Sequence, residues 1–167
     1  MDNRSGCPIN LATEALGDRW SLVLLRDIMF GDRRTFRELL NNSIEGIATN
    51  ILASRLKTLV ADGFLTAEPD PDHKQRTIYS LTEKAIALLP ALIALGAWGR
   101  QFLPVTPPLA IRNQVLEDGG PELQSAFMNE LRARHLKIPN PNDGPPVSEQ
   151  LRAAFEAVIA DSTDVKS

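Results

Sequence analysis

Residues 35–61 read TFRELLNNSIEGIATNILASRLKTLVA, and this stretch decides the fold. Thr35-Phe36-Arg37-Glu38 has capping-box spacing, in which the Thr35 hydroxyl and the Glu38 carboxylate satisfy each other's backbone N–H groups. It predicts a short helix over residues 36–40, ended by Asn41-Asn42-Ser43. After Gly46, the apolar residues Ile47, Ile51, Leu52, Leu56, Leu59 and Val60 recur at helical spacing. A longer helix is therefore expected over residues 47–61, with its opposite face polar and Asp62-Gly63 closing it.

Working outward, a helix over residues 8–16 opens at Pro8, a favourable first helical position, and stops at Gly17. The next spans 19–30; eight of the eleven residues from Trp20 to Phe30 are apolar, so it is buried on most sides. On the other flank, residues 64–68 and 77–81 are short β-like segments around a polar loop, which predicts a hairpin. Thr82 then caps a long helix running to Phe102, apolar around nearly its whole circumference over residues 85–95. Such a helix must bury against more than one neighbour, and in so small a domain the second neighbour is another subunit. Leu88, Leu92, Leu95, Trp98 and Phe102 are the expected dimer interface. Trp20 and Phe36 read as core or interface aromatics. Residues 104–108 form a proline linker, followed by helices expected at 110–116, 122–136 and 147–160. The fold class is mainly α with a small β-hairpin wing. Residues 1–103 form a winged helix-turn-helix domain for DNA binding and dimerisation, and 104–167 a helical C-terminal extension.

Composition sets further bounds. The 167 residues hold 18 Lys and Arg against 21 Asp and Glu, an acidic balance unlike a nucleic-acid binder's. Its distribution answers that objection: residues 1–103 hold 12 basic and 12 acidic side chains, and 104–167 hold 6 and 9. A local basic patch, not the total, sets phosphate attraction. No secretory leader is visible, and the longest uncharged apolar run, 85–99, is broken by Pro90 and falls short of the roughly 20 residues that cross a bilayer. A single cysteine, Cys7, argues for a reducing compartment. A cytoplasmic, nucleoid-associated protein is expected. No phosphate loop, nucleophile elbow or zinc motif occurs, and the two histidines, His73 and His135, lie far apart. No enzyme, catalytic residue, cofactor or metal is expected.

The wording resembles the HxlR family of bacterial regulators, which are MarR-like. Cys7-Pro8, Leu16-Gly17-Asp18-Arg19-Trp20, Leu24-Leu25-Arg26-Asp27 and Phe36-Arg37-Glu38-Leu39 carry the likeness. It continues through Gly46-Ile47, Leu52, Arg55-Leu56, Leu59, Asp62-Gly63-Phe64-Leu65, Tyr79-Ser80-Leu81-Thr82-Glu83, Leu95 and Trp98-Gly99. The resemblance implies a homodimer built from the first and last helices, one recognition helix per half-site of a near-palindromic double-stranded operator, and control of transcription as a repressor. It also implies that Cys7 senses oxidants or electrophiles. Departures are Ala48-Thr49-Asn50 where the family usually carries Ser-Pro-Lys, and Thr77-Ile78 where it carries Val-Glu; Arg76 keeps the expected wing arginine.

Residues near the start of a helix in the major groove reach base edges. Thr49, Asn50, Ser54 and Lys57 face away from the apolar stripe: Asn50 suits adenine, Thr49 and Ser54 bases or phosphates, Lys57 a phosphate. Arg55 lies nearer the core edge and either contacts DNA or buttresses the helix through a carboxylate. At the hairpin tip, His73, Lys74, Gln75 and Arg76 suit phosphates or a minor groove, while Asp70 and Asp72 are expected to repel phosphate. Cys7 stands at a helix start, where unsatisfied N–H groups lower a thiol's pKa. A small-molecule effector is a further possible partner. The alternative function is a small-molecule-sensing or protein-interaction module on a winged-helix scaffold with weak or lost DNA binding.

Overall fold

The computed structural model of the chain describes residues 5–164, and packing divides the chain into two compact units, residues 1–85 and 86–167. The first holds α1 (Pro8–Leu16), α2 (Ser21–Gly31), α3 (Phe36–Asn41), α4 (Thr49–Ala61), β1 (Leu65–Pro69) and β2 (Thr77–Leu81). Its last turn enters α5 (Glu83–Ile86). Leu24, Leu25, Ile28 and Met29 of α2, Leu39 of α3, Leu52, Leu56 and Leu59 of α4, and the hairpin partners Leu65 and Leu81 are all buried. Each such side chain contributes about 1.5–3 kcal/mol by leaving water. Ile51 departs from the expected apolar stripe and stands exposed on the outer side of α4.

The expected helix starts shift where side chains do the capping. Asp18 Oδ1 accepts from the amides of Trp20 (2.8 Å) and Ser21 (3.0 Å), so Arg19 and Trp20 form a capping turn and α2 begins at Ser21 rather than at residue 19. Gly46 takes φ +70, a region that costs glycine little, and the Ile47 amide donates to Ser43 Oγ at 3.1 Å. That turn holds Ile47 buried ahead of the N-cap Ala48, so α4 starts at Thr49 rather than at residue 47. The capping box forms as expected, with Glu38 N donating to Thr35 Oγ1 (3.2 Å) and Thr35 N to Glu38 Oε2 (2.9 Å).

The hairpin pairs Leu65 with Leu81 and Pro69 with Thr77, antiparallel, around a seven-residue loop, 70–76. The segment before α3 is strung along β2. Tyr79 N donates to Arg34 O at 2.7 Å, Arg34 Nε donates back to Tyr79 O at 3.2 Å, and the Arg34 guanidinium also reaches the Ser80 hydroxyl. The hairpin and α3 are thereby fixed to one another.

The second unit holds α6 (Leu89–Phe102), α7 (Pro107–Asp118), α8 (Gly120–Leu136) and α9 (Val147–Asp164). The single helix expected over 82–102 is broken at residues 87–88. Pro90 lacks an N–H, and its ring crowds the carbonyl of Ile86 four residues back. Within the linker expected at 104–108, Pro107 and Pro108 instead open α7, where their missing N–H groups are no loss. Ile93, Leu116, Phe127, Leu131 and Leu151 are buried, with α7 packed on α6 and α9. Packing thus groups α6 with α7–α9, whereas the division at residue 103 places it with the winged helix. By length and composition, residues 83–102 would pass for a membrane-crossing helix. Here that apolarity serves the buried Ile86, Leu89 and Ile93 and an open face further along.

Gly96 explains how α6 and α7 approach. A Cβ there would lie 2.1 Å from Asn113 Nδ2. Asn113 donates to Ile93 O at 3.2 Å and accepts from Arg100 Nε at 3.1 Å, and Arg100 also pairs with Glu117. At the other end of the unit the Glu130 carboxylate accepts from the amides of Val147 and Ser148, capping α9 from a neighbouring helix.

Candidate nucleic-acid interface

The buried stripe of α4 turns its other side to solvent. Thr49, Asn50, Ser54 and Lys57 are all exposed, and their side chains have no partner among the described residues. A helix presenting a row of unpaired polar groups beside a wing has the reach and chemistry to meet base edges in a major groove.

Arg55 is placed differently. It is half-buried, with Nη1 3.5 Å from Asp18 Oδ2. Burial alone would push the Asp18 carboxyl up. Hydrogen bonds from the Ser21 hydroxyl and the amides of Trp20 and Ser21, with the Arg55 charge, hold it below the usual carboxylate range. Of the two roles open to Arg55, the geometry displays the buttress: it ties α4 to the turn joining α1 and α2.

On the wing, His73, Lys74 and Gln75 are exposed, whereas Arg76 reaches back to Asp70, with Nε and Nη2 both 2.5 Å from Oδ2. Asp70 is buried, 5% exposed, so its charge faces the hairpin and is neutralised there, contrary to the expected repulsion of phosphate. The Asp72 amide, 2.8 Å from Asp70 Oδ1, and then the Arg76 guanidinium hold the Asp70 carboxyl below its usual range. Lys74 is left as the free lysine of the tip, and Asp72 stays exposed beside it.

Between α3 and the wing tip lies an open groove of about 920 Å³, lined among others by Arg37, Glu38, Asn41, His73, Lys74 and Arg76. Arg37 escaped the sequence reading because an exposed arginine inside a capping box looks like any solvated position; only the fold sets it opposite the wing.

Cys7 is the N-cap residue of α1 and is exposed. The backbone amides of Asn10 and Ile9 hold its thiol below the ordinary thiol range. Of the expected interface residues, Leu88 and Leu92 are half-buried, while Leu95, Trp98 and Phe102 stand more than half exposed. The Trp98 and Phe102 rings pack on each other with centroids 5.6 Å apart.

A helix-turn-helix with a two-stranded wing, a free polar face on the second helix and an exposed lysine at the wing tip is the architecture of DNA-binding regulators of the winged-helix class. A family model described as HxlR-like helix-turn-helix matches residues 15–107. An HTH-type transcriptional regulator of Mycobacterium tuberculosis, itself uncharacterised, is 35% identical over 83% of this chain and 88% of its own length. The crystal structure of PA1607, described as a candidate transcription factor, superposes with a TM-score of 0.56 at 34% identity, covering 62% of this chain and 70% of that one. The redox regulator HypR in its oxidised form superposes with a TM-score of 0.51 at 26% identity, over 59% of this chain and all of its own. The chain belongs to the HxlR-like helix-turn-helix family of transcriptional regulators.

Proposed function

We propose that the protein is a cytoplasmic, nucleoid-associated, homodimeric repressor that places α4 of each subunit in one half-site of a near-palindromic operator. The observation carrying this reading is the free polar face of α4, Thr49, Asn50, Ser54 and Lys57, set opposite the buried Leu52, Leu56 and Leu59. Thr49, Asn50 and Ser54 read bases; Lys57, His73, Lys74 and Gln75 meet phosphate or the minor groove, with Arg76 shaping the wing. Arg55 positions α4 through Asp18. The dimer forms through the α6 face, Leu88, Leu92, Leu95, Trp98 and Phe102, whose exposed aromatics are unusual for a lone subunit. No cofactor or metal enters this reading.

Cys7 makes the repressor responsive to oxidants or electrophiles. Support comes from its exposure, its lowered pKa and the likeness to the redox regulator HypR. An electrophile adds to the thiolate sulfur; a two-electron oxidant joins two Cys7 thiols as a disulfide, taking up two protons and two electrons. Either change at α1 alters the subunit arrangement and releases DNA.

Fluorescence anisotropy of the reduced protein against its own upstream intergenic duplex and a scrambled one tests the reading. Binding at least ~1,000-fold tighter to the former is expected. Equal weak binding to both the scramble and every sequence recovered from a random-duplex selection would overturn it. Cys7→Ser should keep binding after diamide treatment that releases the wild type; release of the variant as well would remove Cys7 from the response.

A further inference from the structure

We propose that the groove between α3 and the wing seats the sugar-phosphate backbone of the duplex that α4 reads, with Arg37 and Lys74 as its two phosphate contacts. This rests on the DNA-binding reading above and adds to it a binding residue, Arg37, on the first helix of the helix-turn-helix. The groove has fixed walls. The Arg34–Tyr79 pair ties the start of α3 to β2, and the buried Asp70 holds Arg76 within the wing.

Its charged groups sort into those engaged within the fold and those left free. Glu38 accepts from the amides of Arg34 (3.0 Å) and Thr35 (2.9 Å) and from the Thr35 hydroxyl (2.9 Å), and Arg76 is held by the buried Asp70. Of the cations lining the groove, those left without a partner among the described residues are Arg37 on one wall and Lys74 on the other; its exposed carboxylates are Asp72 and Glu38, the latter turned to the start of α3 by its hydrogen bonds. Asn41 and Gln75 add exposed amide donors. Unpaired cations on both sides of a groove open to solvent suit a chain of phosphates better than an enclosed small molecule. The first helix of a helix-turn-helix crosses the DNA backbone when the second lies in the major groove, so the duplex that satisfies α4 also passes here.

The test is anisotropy over a range of salt with two labelled duplexes of about 30 bp and unrelated sequence, long enough for two half-sites one helical turn apart. Arg37→Ala removes one contact from each subunit of the dimer, so it should lower the slope of log affinity against log salt by about two and weaken both duplexes by the same factor. Arg37→Lys should restore the slope, and Arg37→Ala with Lys74→Ala should lower it by about four across the two subunits. Arg37 makes no hydrogen bond or ion pair among the described residues, so the urea midpoint of Arg37→Ala should match the wild type's. If Arg37→Ala keeps wild-type slope and affinity while Lys57→Ala lowers its slope, the groove holds no phosphate and the DNA-binding reading stands. A loss confined to one duplex would make Arg37 a base reader and overturn the proposal. A wild type that binds neither duplex at low salt removes both.

Discussion

The guanidinium of Arg26 grips the carboxylate of Glu45 with two hydrogen bonds, Nη1 to Oε1 at 2.7 Å and Nη2 to Oε2 at 2.9 Å. The same arginine bonds the buried Asp27 through Nε (3.0 Å) and Nη2 (2.7 Å). Arg33, 3.3 Å from the other Asp27 oxygen, donates to the carbonyl of Asn42 at 2.6 Å. Two arginines and two carboxylates thus pin the turn between α3 and α4 to the core helix α2. Arg26→Lys keeps the charge but loses the fork, and should lower stability by about 1 kcal/mol. Arg26→Ala also strips Asp27 of a partner and should lose about 2–3 kcal/mol, read from urea unfolding.

Acid should act on this and related carboxylates together. The Arg26 hydrogen bonds hold Glu45 below the usual range. Burial pushes Glu38 up, but the Thr35 hydroxyl and the Arg34 and Thr35 amides outweigh it; Asp18 and Asp70 are likewise lowered. A carboxylate with a depressed folded-state pKa stabilises the fold above its unfolded value, about 4. That contribution is lost as pH falls through the folded value. The urea midpoint should be flat from about pH 7 to 5.5 and fall below about pH 5. Glu45→Gln should have a lower midpoint at neutral pH and a shallower fall.

Asp18 and Arg55 should behave as a coupled pair. Asp18→Ala removes both the capping of α2 and the partner of Arg55, and should lose about 1–2 kcal/mol. The double-mutant cycle with Arg55→Ala should give a coupling of about 0.5–1 kcal/mol. Arg55→Ala should weaken DNA binding with an unchanged salt slope, as befits a buttress; a slope lowered by about two, one per subunit, would make it a phosphate contact instead.

Gly96→Ala should destabilise the second unit, although alanine is the better helix former by about 1 kcal/mol. The methyl would strike Asn113, a short side chain tied at both ends, and overpacking of this kind costs about 1–3 kcal/mol. Adding Asn113→Ala should recover part of the loss, which calorimetry would resolve.

Trp98→Glu and Phe102→Glu place charge on the open face of α6. Sedimentation of both variants should show monomers where the wild type sediments as a dimer, with the far-UV spectrum unchanged. A wild-type monomer at micromolar concentration would sink the interface assignment.

What the sequence made legible was what local chemistry decides. The Thr35–Glu38 box, the stripe of α4 and the hairpin from Leu65 to Leu81 each follow from residues a few positions apart. The break at residues 87–88 was masked because the apolar pattern runs through Pro90, whose effect falls on the carbonyl four residues earlier. Side-chain pairings across loops were less visible. Nothing in the run from Asp70 to Arg76 says that the aspartate turns inward and takes the arginine with it, leaving Lys74 to carry the tip. The two readings of Arg55 could be weighed only once Asp18 was seen within 3.5 Å of it. The free polar face of α4 was expected residue by residue, since it is the complement of the buried stripe.

The ring of bonds in the wing has a consequence for binding entropy. Asp70 N donates to Arg76 O at 2.8 Å, Arg76 N donates to His73 O at 2.8 Å, and the Asp70 side chain holds both the Asp72 amide and the Arg76 guanidinium. Ordering a loose loop on a ligand costs about 1–2 kcal/mol per residue in backbone freedom alone. Here much of that freedom is already lost on folding, so a duplex meets a loop close to its bound shape, and the interaction energy of Lys74 goes to affinity rather than to organising the backbone that carries it.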